Sequence, residues 1–292
     1  MTNKEYREHE GISKSALWEI RKSPLHFKWK MEHPQEDTPA LIFGRAVHKR
    51  VLEEETFFDE FAVSPIVDKR TKDGKELWVS FELSAVGKDL IKSEDFEIIK
   101  DMKTELVKNE MAVALLQGQK EVSLFGIDEL TGEKIKARPD ILTEIGSQLI
   151  IVDYKSCESA ETDSFTKSAL TYGYHLQDAM YSEVVKQNYK KEPIFMFIAQ
   201  EKKPPYAVNI FKTDEYFHQY GVDTFRELIG IYHSCKVSGN FYGLEGNFNQ
   251  VNNLSLPDWI LKRMAMNLLR IRLHFLMMLR LLNRLNPLPL LS

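Results

Sequence analysis

Cysteine is scarce in this chain: Cys157 and Cys235 are the only two among 292 residues. That excludes a disulfide framework and a cysteine-built zinc or iron–sulfur centre, and it suits a reducing, cytoplasmic setting. Long apolar runs are lacking too. The opening MTNKEYREHEG has no apolar stretch like that of a secretory signal, and arginines interrupt the Leu/Met-rich far end before membrane-spanning length, so no membrane partner is expected. Nor is there a surplus of positive charge. Six of the 39 basic residues (Lys262, Arg263, Arg270, Arg272, Arg280, Arg284) follow Asp258 and none of the 43 acidic ones does, so the net charge of −4 conceals −10 over residues 1–258. A body this acidic does not coat nucleic acid through bulk charge, although contacts confined to one channel remain open to it.

What the chain does have is the stretch ARPDILTEIGSQLIIVDYKS, residues 137–156. Leu149 to Val152 form a short β-branched apolar run that predicts a buried strand, and Gly146 predicts the turn before it. Side chains alternate across a strand, so Asp153 and Lys155 share one face and Tyr154 takes the other. With Asp140 on a neighbouring strand, two carboxylates and a lysine meet. That set suits a hard divalent cation and hydrolysis of a phosphodiester, Mg²⁺ being favoured and Mn²⁺ also suited. The plain alternative is a charged strand end with solvated neighbours and a Pro-Asp turn.

Along the chain, residues 12–30 predict a helix that Ser13 or Ser15 caps and Pro24 ends, and capping hydroxyls beside free N–H groups also suit a phosphate. Residues 39–54 predict a second helix with Gly44 and His48 on one face. A short strand near 61–63 and a polar turn at 71–74 precede a mostly helical region, 78–117. The period then alternates: Glu121, Ser123 and Phe125 share one strand face, and Thr131-Gly132 turns the chain into a second strand, 134–142, that carries Asp140. The expectation is three consecutive strands bringing Glu121, Asp140, Asp153 and Lys155 to one sheet edge. Residues 165–189 predict a helix with Gln177 and Tyr181 four apart on one face. Strands at 194–200 and 206–211 and a helix from an Asp214 cap to Lys236 complete a mixed sheet flanked by helices, an α/β fold.

Taken in order, the Ser13-Lys-Ser15 helix, Gly44-Arg-Ala-Val-His48, Glu121, Pro139-Asp140, Asp153-Tyr-Lys155 and Gln177-x-x-x-Tyr181 resemble the RecE-type, or exodeoxyribonuclease VIII-like, branch of the PD-(D/E)xK superfamily. That branch is related to phage λ-type exonucleases and the RecB nuclease domain, and here Asp153 stands where Glu is more familiar. The resemblance implies a restriction-endonuclease-like core in which His48, Asp140, Asp153 and the Tyr154 carbonyl ligate the cation. Glu121 would support a second metal or its water, Lys155 would position the nucleophile, and Gln177 and Tyr181 would steady the site or the scissile phosphate. Ser13, Ser15 and Arg45 fall where DNA contacts are expected. It further implies digestion of linear double-stranded DNA from its ends, 5′ to 3′, leaving a 3′ strand for a single-strand annealing protein. A ring-shaped homo-oligomer in a bacterial host's cytoplasm, of phage or prophage origin, completes that expectation. Alternatives are another repair nuclease of the superfamily and a non-catalytic DNA-end-binding or interaction module.

Composition changes abruptly at Leu261, where acids stop and Leu, Met and Arg dominate. The expected organisation is a nuclease domain over 1–258 and a basic tail over 259–292, the tail being either non-native or partner-binding.

Overall fold

A computed structural model describes residues 1–33, 37–244, 251 and 253–285. The chain divides into two compact units, Met1–Gly246 and Asn247–Ser292. The first begins with α1 (Asn3–Glu8), strand β1 (Ile12–Ser13), and helices α2 (Lys14–Ile20), α3 (Pro24–Glu32), α4 (Pro39–Leu52) and α5 (Phe57–Glu60). Next come β2 (Phe61–Val63), α6 (Lys72–Ser84), β3 (Asp89–Ile91), α7 (Ser93–Leu106) and α8 (Glu110–Leu115). Strands β4 (Gln119–Lys120), β5 (Leu124–Ile127), β6 (Lys134–Ala137), β7 (Ile141–Ile145) and β8 (Gln148–Cys157) lead into α9 (Thr162–Thr171) and α10 (Tyr174–Tyr189). Strands β9 (Ile194–Glu201) and β10 (Val208–Lys212) and helix α11 (Glu215–Ser238) complete the unit.

Among the described residues the main sheet runs β10-β9-β8-β7-β4, with β8 and β9 parallel and the other pairs antiparallel. A smaller sheet runs β1-β6-β5, and β2 pairs with β3. The mixed α/β class read from the sequence is therefore the one observed. Alternation along β8 sorts its side chains between two cores. Leu149 and Ile151 pack with Leu176, Met180 and Val184 of α10, while Ile150, Val152 and Tyr154 pack with Val47 of α4 and Met102 of α7. Asp153 and Lys155 continue the first face beyond the apolar run, as their period-2 spacing requires.

Several elements are more broken than the sequence pattern predicts. Glu121 adopts a left-handed backbone, φ 54°. That interrupts the predicted strand, so β4 joins the main sheet and β5 the small one, and the expected shared face of Glu121, Ser123 and Phe125 is lost. The second predicted strand likewise ends at Ala137 and resumes at Ile141 in the other sheet. Pro139 has no N–H for a ladder, so the break falls where pairing is weakest. Residues 12–30 form two helices, since Pro24 sits in the first turn of α3 behind the Ser23 cap. The 71–74 turn is the capped start of α6, and β3 interrupts the helical region after it.

The helix predicted over 165–189 breaks at Gly173, whose φ of 68° suits glycine and whose Cβ would meet the Trp18 ring at 2.7 Å. Gly221 matters for a different reason: a Cβ there would lie 2.0 Å from the His175 carbonyl oxygen, so α10 and α11 approach backbone to backbone. Gly221→Ala should cost about 1–3 kcal/mol through overpacking. At roughly 2–4 °C per kcal/mol, thermal unfolding will read it.

In the second unit, α12 (Asp258–Leu285) begins close to the composition change and exposes Leu268, Leu269 and Ile271. The end of the predicted tail, 286–292, lies outside the described residues. Among the described residues, no helix is long and apolar enough to cross a membrane.

Candidate active site

The site forms where β8 outlasts its apolar run. Ile141 pairs with Val152, so Asp140, one residue earlier in the antiparallel ladder, stands beside Asp153. Asp140 Oδ2 accepts the Tyr154 N–H at 2.8 Å. Asp153 is 1% exposed; its Oδ1 accepts a hydrogen bond from Gln177 Nε2, and its Oδ2 lies 2.5 Å from Lys155 Nζ. Lys155 also donates to Gln177 Oε1 at 3.3 Å and lies 4.8 Å from the Tyr174 ring centroid. Asp153, Lys155 and Gln177 thus close a triangle across β8 and α10.

From the opposite face of the sheet, His48 on α4 brings its Nδ1 to 3.6 Å from Asp140 Oδ2. Its ring meets that of Tyr154 edge-on at 5.3 Å. Tyr154 is fixed in turn, donating its hydroxyl to Gln200 Oε1 at 2.6 Å, while the Gln200 amide donates to the Met102 carbonyl at 2.7 Å. Gln200 is wholly buried with both amide atoms partnered, which locks the strand that carries Asp153 and Lys155.

Electrostatics separate the roles open to these groups. Burial, then the Lys155 charge, lowers the His48 pKa to about 4, leaving a neutral imidazole at neutral pH. Burial opposes the Lys155 charge, but Asp153, Tyr174 and Asp140 together more than offset it and keep the ammonium protonated. Asp140 is pushed well above the carboxylate range by burial and then by Asp153. Two adjacent carboxyl groups, Asp153 buried and Asp140 partly so, share one ammonium, and a divalent cation would relieve the repulsion between them.

The donor set fits such a cation: two carboxylates, a neutral imidazole and the Tyr154 carbonyl are ligands that Mg²⁺ or Mn²⁺ accepts. Asp153 Oδ2 is buried without a hydrogen bond, its contact with Lys155 being ionic, so an acceptor stands ready. Among the described residues, however, no three His, Cys, Asp or Glu side chains already close on one point. Asp153 is held by Gln177 and Lys155.

Removing the repulsion has a signed consequence. With the Asp140 pKa raised in the folded protein, ionising this carboxyl costs stability once pH exceeds its ordinary value. Asp140→Asn should therefore raise the melting temperature of the cation-free protein near neutral pH. The gain should vanish in acid, and cation affinity should fall; melting curves in chelator at two pH values will check this.

Glu121 does not share the strand face expected of it, yet it reaches the same cleft. Its N–H donates to the Asp140 carbonyl at 3.0 Å, and its Oε2 accepts from Arg138 Nε at 2.6 Å. Burial raises the Glu121 pKa and Arg138 opposes the rise. Tyr181, one turn beyond Gln177, has its phenol pushed well up by burial.

Two cavities meet at Lys155. The larger, about 860 Å³, is lined by Gly44, Arg45, His48, Glu121 and Arg138 among others. The smaller, about 380 Å³, is lined by Ser13, Lys14, Ser15, Lys136, Gln177 and Tyr181 among others, with no acidic residue. Ser13 and Ser15 hydroxyls lie 3.2 Å apart. Arg45 is already paired with Asp37 and with Asp89, the latter at 2.6 Å.

Lys14, Arg138 and Gln200 were not singled out from sequence. Lys14 stood between the two serines that were, a signal available to be read. Burial, then repulsion from Lys155, lowers its pKa to about 7. Gln200 lies 46 residues from its Tyr154 partner, and nothing local marks it.

Comparison with known proteins bears on the family and the fold. A family described as a PDDEXK-like domain of unknown function (DUF3799) matches residues 13–241. The crystal structure of a "Putative exonuclease" from Eubacterium rectale superposes with a TM-score of 0.59 at 17% identity, covering 89% of this chain and 97% of that one. At that identity the likeness carries the fold alone. The structure of SSO0001 gives a TM-score of 0.29 at 13% identity over 74% and 86% of the two chains, too weak to argue from. No curated protein matches the sequence.

Proposed function

Because this chain belongs to the PDDEXK-like domain family, we propose that it is a divalent-cation-dependent exodeoxyribonuclease acting on linear duplex DNA from its ends. The observation that carries this reading is the Asp140–Asp153–Lys155 cluster, completed by His48 and Gln177 from two helices on opposite faces of the sheet. Asp140, Asp153, His48 and the Tyr154 carbonyl would hold the cation, which when bound supplies Lewis acidity toward the phosphate. Lys155 is an ammonium here, so it donates rather than accepts a proton: it orients the attacking water and offsets charge growing on the phosphate oxygens. Gln177 fixes the direction of both Asp153 and Lys155. Glu121, held by Arg138, adds a third carboxylate beside Asp140 and Asp153, at the wall of the larger cavity.

The acid-free smaller cavity favours attack from a 5′ end, since Ser13, Lys14 and Ser15 suit a terminal phosphate. Tyr181 closes the same cavity. Arg45 would serve DNA by exchanging its carboxylate partners for backbone phosphates. A ring-forming homo-oligomer and a single-strand annealing protein that takes the remaining 3′ strand extend the same reading.

The test is digestion of one plasmid, linearised and covalently closed, in Mg²⁺ and in chelator, with the 5′ and 3′ ends labelled in turn. Cation-dependent loss of the linear form alone, beginning at the 5′ label, is expected. Cutting of closed circles would make the protein an endonuclease, and DNA binding without cutting would leave only a binding module.

A further inference from the structure

Helix α1 stands between the two cavities. Asn3, Arg7 and Lys155 are the residues that line both, so the partition consists of α1 and the lysine beneath it. The segment is firmly held. Lys136, 6% exposed, donates to the Tyr6, Arg7 and His9 carbonyls at 2.9, 3.0 and 2.6 Å. Arg138 reaches the Met1 carbonyl at 3.3 Å, Lys134 pairs with Glu10, and the His9 and Phe125 rings lie 3.8 Å apart. A buried ammonium is costly unless its hydrogen bonds are met, and here they are met by the end of α1.

We infer that α1 is the wall that makes cleavage depend on a DNA end. This rests on the nuclease reading above. A strand crossing Lys155 from the larger cavity runs into a chamber of about 380 Å³, near the low end of small-ligand pockets, roughly 300–1,000 Å³. Four basic residues, Arg7, Lys14, Lys136 and Lys155, line that chamber. It has room for a terminal nucleotide and its phosphate, and a strand that continued straight on between the two cavities would meet α1, whose Asn3 and Arg7 line both. The specificity is steric: the wrong substrate is rejected by a clash.

Deleting residues 2–9 tests this, with closed-circular and linear DNA competing in one tube. The expected result is that linear DNA is still digested, at a rate reduced by the loss of Arg7 with the segment, and that circles are newly nicked, the circle-to-linear ratio rising on the order of 100-fold. An unchanged ratio with linear activity intact overturns the inference while leaving the nuclease reading in place. Because the deletion also strips buried Lys136 of its partners, which works against folding, a second measurement uses the full chain carrying Lys155→Met. Trypsin cleavage after Arg7 is followed with a blunt duplex oligonucleotide or a closed minicircle bound. Protection by the blunt duplex alone supports the wall, and equal protection by both overturns it. If the unaltered protein cuts neither DNA form, the nuclease reading fails, and this protection assay still decides whether α1 senses ends.

Discussion

With methionine in place of Lys155, hydrolysis of linear duplex should fall about 10³-fold or more while the protein still binds cation and DNA. Methionine fills much the same volume, so Tyr174 and Gln177 keep a neighbour. What is lost is the ammonium 2.5 Å from Asp153 Oδ2. In cation-free protein that loss leaves the Asp153 carboxyl buried beside Asp140 without its counter-ion, at a cost of about 3–5 kcal/mol. A cation would neutralise both carboxylates, so Mg²⁺ should recover the stability of Lys155→Met without recovering its turnover. The combination separates a catalytic lysine from a merely structural one: if stability and rate return together, Lys155 serves only to balance charge. A near-normal rate in the absence of any rescue would remove it from the mechanism altogether.

How far this site was legible beforehand depends on the range of each signal. Asp153 and Lys155 could be placed on one face because a strand's period is fixed at two and the apolar run Leu149–Val152 announced the strand. His48 could be placed one turn from Gly44, and Gln177 one turn from Tyr181, for the equivalent helical reason. The two breaks at Glu121 and at Arg138–Asp140 could not be read so directly. Each lies in a segment whose alternation looks continuous, and the switch between sheets is decided by pairing with β1 on one side and β8 on the other. Pro139 hinted at the second break. Nothing local marked the first, where a non-glycine residue takes a positive φ. The anchors were the least visible, because Lys136 meets carbonyls more than 120 residues away and shows no pattern along the chain.

Asp153→Ala should abolish activity together with cation affinity, lowering the latter by more than the 10–100-fold typical of losing an outer partner of a metal ligand. Its structural effect is the mirror of the lysine change. Lys155 loses its nearest counter-ion and keeps Gln177 Oε1, the Tyr174 ring and the more distant Asp140 carboxyl. Each single variant strands one buried charge, whereas the double variant Asp153→Ala/Lys155→Met strands neither. The cycle should therefore be strongly non-additive in cation-free stability, the double variant being more stable than the sum of the single losses predicts by about 1–3 kcal/mol. In activity the same cycle should show no recovery, because both groups are required and neither replaces the other. An Asp153→Ala protein that titrates with Mg²⁺ as the parent does would remove Asp153 from the ligand set, leaving His48, Asp140 and the Tyr154 carbonyl. Asp153 would then be the residue that keeps Lys155 charged and aimed, and the pair would act on the phosphate through the lysine alone.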